Sequence, residues 1–128
     1  MLLKILVGAY GASFLLVGLG WWIVPETVST QFDMMLLSDA GLSTQIGDLA
    51  SFFLVLGGCM VVALLTGKRV WLLPALSLIA IAMLGRIFAW QFHGASLPLN
   101  MIAVEVTGSA VLILAFLRFQ KTGPAIGN

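Results

Sequence analysis

Charge is scarce in this chain of 128 residues: Asp, Glu, Lys and Arg together make up 9% of it, against about a quarter in a soluble domain. With 61% hydrophobic residues and a mean hydropathy of +1.13, disorder is excluded, and a water-soluble monomer does not fit the composition. There is one cysteine, Cys59, so no internal disulfide can form. It stands among Gly57, Gly58, Met60 and Val61 with nothing ionisable beside it, and reads as a small buried apolar residue instead of a reactive thiol. Histidine is also single, His93 in an expected loop, so zinc, iron-cluster and haem sites lack ligands and no metal is expected. The six basic residues are scattered at a net charge of +1, which leaves no clustered cations for phosphates and argues against nucleic acid as a partner. No Ser, Cys or Thr has both a base and an orienting group in view, so no catalytic residue is assigned.

Long apolar runs are what the sequence does have. A bilayer core about 30 Å thick takes about 20 residues per helix, so the chain has room for at most four spans and reads as one transmembrane domain over 1–128. The uncharged runs place the spans at about 3–24, 45–66, 70–92 and 99–117, with an outer loop at 26–44 and a tail at 118–128. The first run resembles a signal peptide only superficially. It is uncharged for 21 residues from Ile5 to Pro25 and ends in the pair Trp21-Trp22 instead of a small-residue cleavage site. Pro25 closes this span and Gly67 stops the second.

Lys4, Lys68, Arg69, Arg118 and Lys121 fall at one end of an up-down-up-down arrangement, while the opposite loops carry Glu26, Asp33, Asp39 and His93 without Lys or Arg. The positive-inside rule then puts both termini on the cytoplasmic side of the membrane. Trp21, Trp22, Trp71 and Trp90 suit an aromatic belt at the interfaces. In the long loop, QFDMMLLSDAGL is compatible with a short amphipathic interfacial helix, and equally with a lid over the outer mouth. The fold expected is all-α: an antiparallel transmembrane four-helix bundle with a short interfacial helix between its first and second spans. Spans associate through small residues, here Gly8, Gly11, Ala12 and Gly18 on the first helix, Gly47, Ser51 and Gly58 on the second, and Gly108 and Ser109 on the fourth.

Three ionisable residues fall inside apolar spans: Asp48, Arg86 and Glu105. Such residues face the protein interior and pair with one another. At 1.5 Å per residue they lie roughly 5, 9 and 9 Å from the outer ends of their helices. Arg86, with its planar donor fork, is the natural centre, Glu105 its bidentate partner and Asp48 an acceptor on another side. Ser51 and Ser109, one turn from the two acids, Trp90 and Tyr10 form a second tier around them. Ser13, Gln91, Asn100 and Thr107 extend the polar network or line an outward-facing cavity.

Pro25 closing the first span, the glycine-bearing second span, Gly85-Arg86 in the third, Gly94 in the following loop and Glu105 in the fourth together resemble a family of small bacterial four-helix membrane proteins known as a domain of unknown function, distantly DoxX-like. The resemblance covers roughly the four spans. It implies a four-span fold and an intramembrane Arg and Glu that belong together, and it implies no reaction. Some DoxX-like relatives are associated with quinone-linked oxidoreductases, but this sequence has no redox motif to carry that over.

The leading functional expectation is a non-enzymatic accessory or assembly subunit of a membrane complex, or a homo-oligomer, locked by the Arg–carboxylate network and with the lipid bilayer as its surroundings. The alternative is a small carrier or binding protein for a proton, an anion, a lipid or a quinone at a cavity around Arg86, suggested by the surplus carboxylate. No tightly held cofactor is expected, a quinone or lipid ligand aside. An enzyme using Asp48 or Glu105 as general acid or base ranks last.

Overall fold

Proline and glycine punctuate the chain into helices. The computed structural model describes residues 1–119; Lys121 and the rest of the expected tail beyond that point lie outside the described residues. Helix α1 (Leu2–Ile23) gives way at Val24 to α2 (Pro25–Gln31), with the proline in the first turn, where its missing N–H is not needed. Helix α3 (Asp39–Thr66) stops at Gly67, whose φ of 67° is left-handed, and a 3-10 turn (Arg69–Trp71) leads into α4 (Leu72–His93). Helix α4 stops in the same way at Gly94, with φ 66°, and α5 (Leu99–Arg118) completes the described residues. Among these residues the secondary structure is entirely helical, and four helices are long and apolar enough to cross a membrane.

The helix of the long loop is displaced from its expected place. It occupies 25–31, directly after the first span, while 32–38 is irregular and α3 begins six residues before the expected start at 45. Asp33, at φ 52°, breaks the chain after α2, a conformation that Asp tolerates better than most residues. The irregular turn is held by Gln45, whose buried side-chain oxygen accepts the Leu37 N–H at 3.0 Å and whose amide donates to the Met35 carbonyl at 3.1 Å.

Helices α1 and α3 make the closest approach. A Cβ placed on Gly57 would lie 2.5 Å from the Gly11 carbonyl oxygen and 2.8 Å from the Leu15 nitrogen. One on Gly18 would meet Leu54, and one on Gly8 would reach Leu64. Gly8, Gly11 and Gly18 of α1 therefore pack as expected, but Ala12 is exposed, and on α3 the contact is made by Gly57. Gly47 and Gly58, expected at the seam, have open space above them, and Ser51 is exposed. Gly57 and Gly58 are about 100° apart around the helix, so composition alone does not say which one faces the neighbour. Gly108 of α5 lies under the Tyr10 ring of α1 and close to Ile79 of α4.

Two buried clusters result. One joins Val7, Leu56, Met60, Ala63, Leu72, Ala75, Ile79, Leu112 and Ala115, from all four long helices, towards the Gly67 end. The other joins Trp21, Val28, Ala50 and Phe53, from α1, α2 and α3 only. Trp21 is thus a correction to the aromatic belt: it is fully buried, 6.4 Å from the Phe32 ring, because α2 folds back over it. Trp22, Trp71 and Trp90 are exposed. At this end α4 and α5 contribute nothing buried, the last buried residue of α4 being Ile79 and the first of α5 Gly108.

Candidate functional site

The half of α4 after Ile79 and the half of α5 before Gly108 are joined by one ion pair. Arg86 Nε donates to Glu105 Oε1 at 2.8 Å, within the range of charge-assisted bonds. The Glu105 side chain is 12% exposed and that of Arg86 31%. The pairing is single and not the bidentate fork expected: Nε alone bonds the carboxylate, through Oε1. Glu105 Oε2 is buried and accepts no hydrogen bond from the protein. A carboxylate offers about four acceptor positions and a guanidinium five donors, so both partners keep hydrogen-bonding capacity.

This pair forms part of the wall of a cavity of about 340 Å³ between the diverging helices. The opposite wall is apolar and strongly aromatic: Phe14 and Val17 of α1, Phe32 after α2, and Phe52, Phe53 and Leu56 of α3. These rings brace one another, Phe32 against Phe53 at 5.3 Å, Phe52 edge-on to Phe53 at 5.1 Å, and Phe14 against Phe53 at 6.0 Å. Exposed Ser13 and Gln31 on one side and Asn100 and Val104 on the other mark the mouth, between α1–α2 and α5. Further along the same helices the gap closes where the Tyr10 hydroxyl meets Thr107 Oγ1 at 2.8 Å. Thr107 gives its own proton to the Ala103 carbonyl, so Tyr10 is the donor.

The expected constellation is brought together only in part. Arg86 and Glu105 meet. Asp48 does not join them: it is exposed and lines a separate cleft with Met34, Leu37, Ala40, Gly41, Thr44, Gln45 and Leu49. On α3 it shares a face with Gly41, Thr44 and Gln45, beside the irregular segment that carries Met34 and Leu37. Of the second tier, Tyr10 bonds Thr107, Ser51 donates back to the Gly47 carbonyl at 2.6 Å, and Trp90 is exposed. Ser109 Oγ is buried without a protein partner. Asn100 and Ser13 do line the cavity, while Gln91 is exposed and does not.

The four phenylalanines are what sequence reasoning missed. Their one signal is that Phe14 on α1 and the Phe52-Phe53 pair on α3 stand among Leu, Val and Gly at comparable heights, which composition cannot separate from lipid-facing aromatics. Among the described residues no group of three or more His, Cys, Asp or Glu comes together as a ligand set. The donor set is one guanidinium and one carboxylate in an apolar surround, suited to holding and orienting a molecule by hydrogen bonds.

No family model, curated protein or solved structure matches this chain. No match supports the expected resemblance to the DoxX-like group, and function is argued from the site.

Proposed function

We propose that this is an integral protein of the inner (plasma) membrane that binds a small lipid-soluble molecule in the cavity beside Arg86 and Glu105, acting as a carrier or binding protein and not as an enzyme. The observation that carries this reading is the cavity itself: about 340 Å³, walled by four phenylalanines and bounded by one ion pair with unused hydrogen-bonding positions. Binding sites of this kind are mostly apolar with a few placed polar groups, and begin at about 300 Å³. A cavity of that size takes a small molecule whole or the head of a larger one, a lipid or a quinone, whose tail leaves through the mouth into the bilayer.

The up-down-up-down, antiparallel topology with both termini cytoplasmic is part of the proposal. It is supported by contacts that run in opposite senses, Gly8 with Leu64, Gly11 with Met60 and Gly18 with Leu54. Lys4, Lys68, Arg69 and Arg118 gather at one end, and the links at 67–71 and 94–98 are short. In this setting the Arg86–Glu105 pair is intramembrane, α2 lies at the outer interface, and the cavity faces outward.

A second reading keeps an observation of its own. Gly47, Ser51 and Gly58 form an open small-residue face on α3, the kind of surface on which another span can seat. This favours an accessory subunit or a homo-oligomer. Native mass spectrometry of the protein released gently from its own membrane tests both. A lone bundle carrying a defined small molecule, lost when Val17→Phe fills the cavity, supports the binding reading. A stoichiometric protein partner with an empty cavity overturns it in favour of the second.

A further inference from the structure

The polar wall of the cavity is electrically balanced and chemically two-faced. Arg86 uses Nε alone towards Glu105, and among the described residues no acceptor engages its remaining N–H groups. Glu105 receives that one bond on Oε1, among the described residues, while its Oε2 is enclosed and out of a ligand's reach; Oε1 keeps a second lone pair. Arg86 and Glu105 both line the cavity, so its wall carries spare N–H donors beside a carboxylate oxygen with acceptor capacity left, in a pair whose charges already cancel. An anionic head would gain from Arg86 and be repelled by Glu105 at nearly the same distance, and a cationic head meets the reverse, both effects being magnified where the effective dielectric constant is low. A hydroxyl is the smallest group that uses both faces at once without adding charge, since it donates one proton and accepts through its lone pairs on a single atom.

Resting on the binding function proposed above, we infer that the occupant is an uncharged hydroxyl-bearing molecule, a lipid-soluble phenol or alcohol, whose O–H donates to the Glu105 carboxylate while its oxygen accepts from the Arg86 guanidinium. Its body lies against Phe14, Phe32, Phe52 and Phe53. A ring stacks there in the offset or edge-on manner these side chains already use among themselves, and an alkyl chain is accommodated through apolar contact alone.

The test is binding of four probes to the full chain in lipid nanodiscs, with partitioning into empty discs subtracted. The probes are 4-butylphenol, hexan-1-ol, 4-butylanisole, in which a methyl group replaces the phenol's proton, and 4-butylbenzoate, which is an anion. The expected result is that 4-butylphenol binds at least about tenfold more tightly than 4-butylanisole, the size of a hydrogen bond to a charged group, and more tightly than 4-butylbenzoate. That preference disappears in the Arg86→Leu/Glu105→Leu double variant, which removes the pair without leaving a lone charge. Tighter binding of 4-butylphenol than of hexan-1-ol identifies the body as aromatic and the reverse as aliphatic; either supports the hydroxyl head. Equal binding of phenol and ether overturns the inference while leaving the cavity a binding site, and so does preferential binding of the benzoate. If none of the four binds the unaltered protein, the inference and the binding function fall together.

Discussion

A methyl group added at position 57 and one added at position 58 meet opposite surroundings. At 57 it collides with the backbone of α1, which cannot move aside as a side-chain tip could; at 58 nothing lies within 4 Å. Gly57→Ala is expected to destabilise the protein by about 1–3 kcal/mol, the usual range for overpacking. Gly58→Ala is expected to be neutral or slightly stabilising through helix propensity. Thermal unfolding of the two variants in the same detergent measures the difference, and equal midpoints would contradict the α1–α3 seam. Charge at the site follows the same residue-level logic. Arg86→Leu leaves Glu105 as a mostly buried lone carboxylate and is expected to cost about 2–3 kcal/mol, below the 3–5 kcal/mol of a fully buried pair because Arg86 keeps 31% of its side chain exposed. Adding Glu105→Leu recovers most of that loss, while Asp48→Leu, which touches neither partner, leaves stability unchanged. A larger effect of Asp48→Leu than of Arg86→Leu in an unfolding titration would mean that Asp48 belongs to the network after all.

Among the elements, the segment between α2 and α3 depends on one side chain. Gln45 bonds two backbone groups of the irregular stretch 35–37 from a buried position, and the stretch begins beside Phe32, a wall of the cavity. Gln45→Leu removes both bonds, each worth about 1 kcal/mol, and leaves the Leu37 N–H and Met35 carbonyl to find other partners. Hydrogen exchange at 33–38 is expected to rise at least tenfold with exchange in α1 and α3 unchanged; unchanged exchange at 33–38 would show that the turn is held by other contacts. This region is also where the sequence was least legible. The four long helices could be read within one or two residues of most boundaries, because a run of about 20 apolar residues between Pro25, Gly67 and Gly94 leaves few other solutions. The start of α3 and the place of α2 could not, because 32–45 mixes polar and apolar residues without period, and its ordering comes from Gln45 and from packing on Trp21. Arg86 and Glu105 were legible for the reason that charges are rare inside apolar runs. The same rarity drew Asp48 into the set, although its side chain lines the cleft beside Met34 and Leu37, a neighbourhood made by the irregular segment that an argument from depth alone does not contain.

At the scale of the whole molecule, the two halves of the bundle differ in how they are held. Towards Gly67 all four long helices share one buried cluster; towards Trp21 only α1, α2 and α3 do, and α4 and α5 are tied to each other by a single ion pair beside a cavity. An end that lacks a common core opens at lower free energy than one that has it, and a cavity that admits a molecule from the bilayer belongs at that end. The proposed orientation places it outward, with Gly67, Lys68 and Arg69 at the cytoplasmic face. This is checked by labelling single cysteines in intact cells after Cys59→Ala removes the natural thiol. Ser96→Cys, in the exposed link between α4 and α5, is expected to react with a membrane-impermeant maleimide from outside, whereas Lys68→Cys reacts only after the membrane is disrupted. The reverse pattern would invert the topology and turn the cavity towards the cytoplasm, leaving its chemistry intact but changing which pool of molecules can reach it. Labelling of both positions in intact cells would break the four-span arrangement itself, since the two links lie at opposite ends of α4, whose 22 residues at 1.5 Å each span the thickness of a bilayer core.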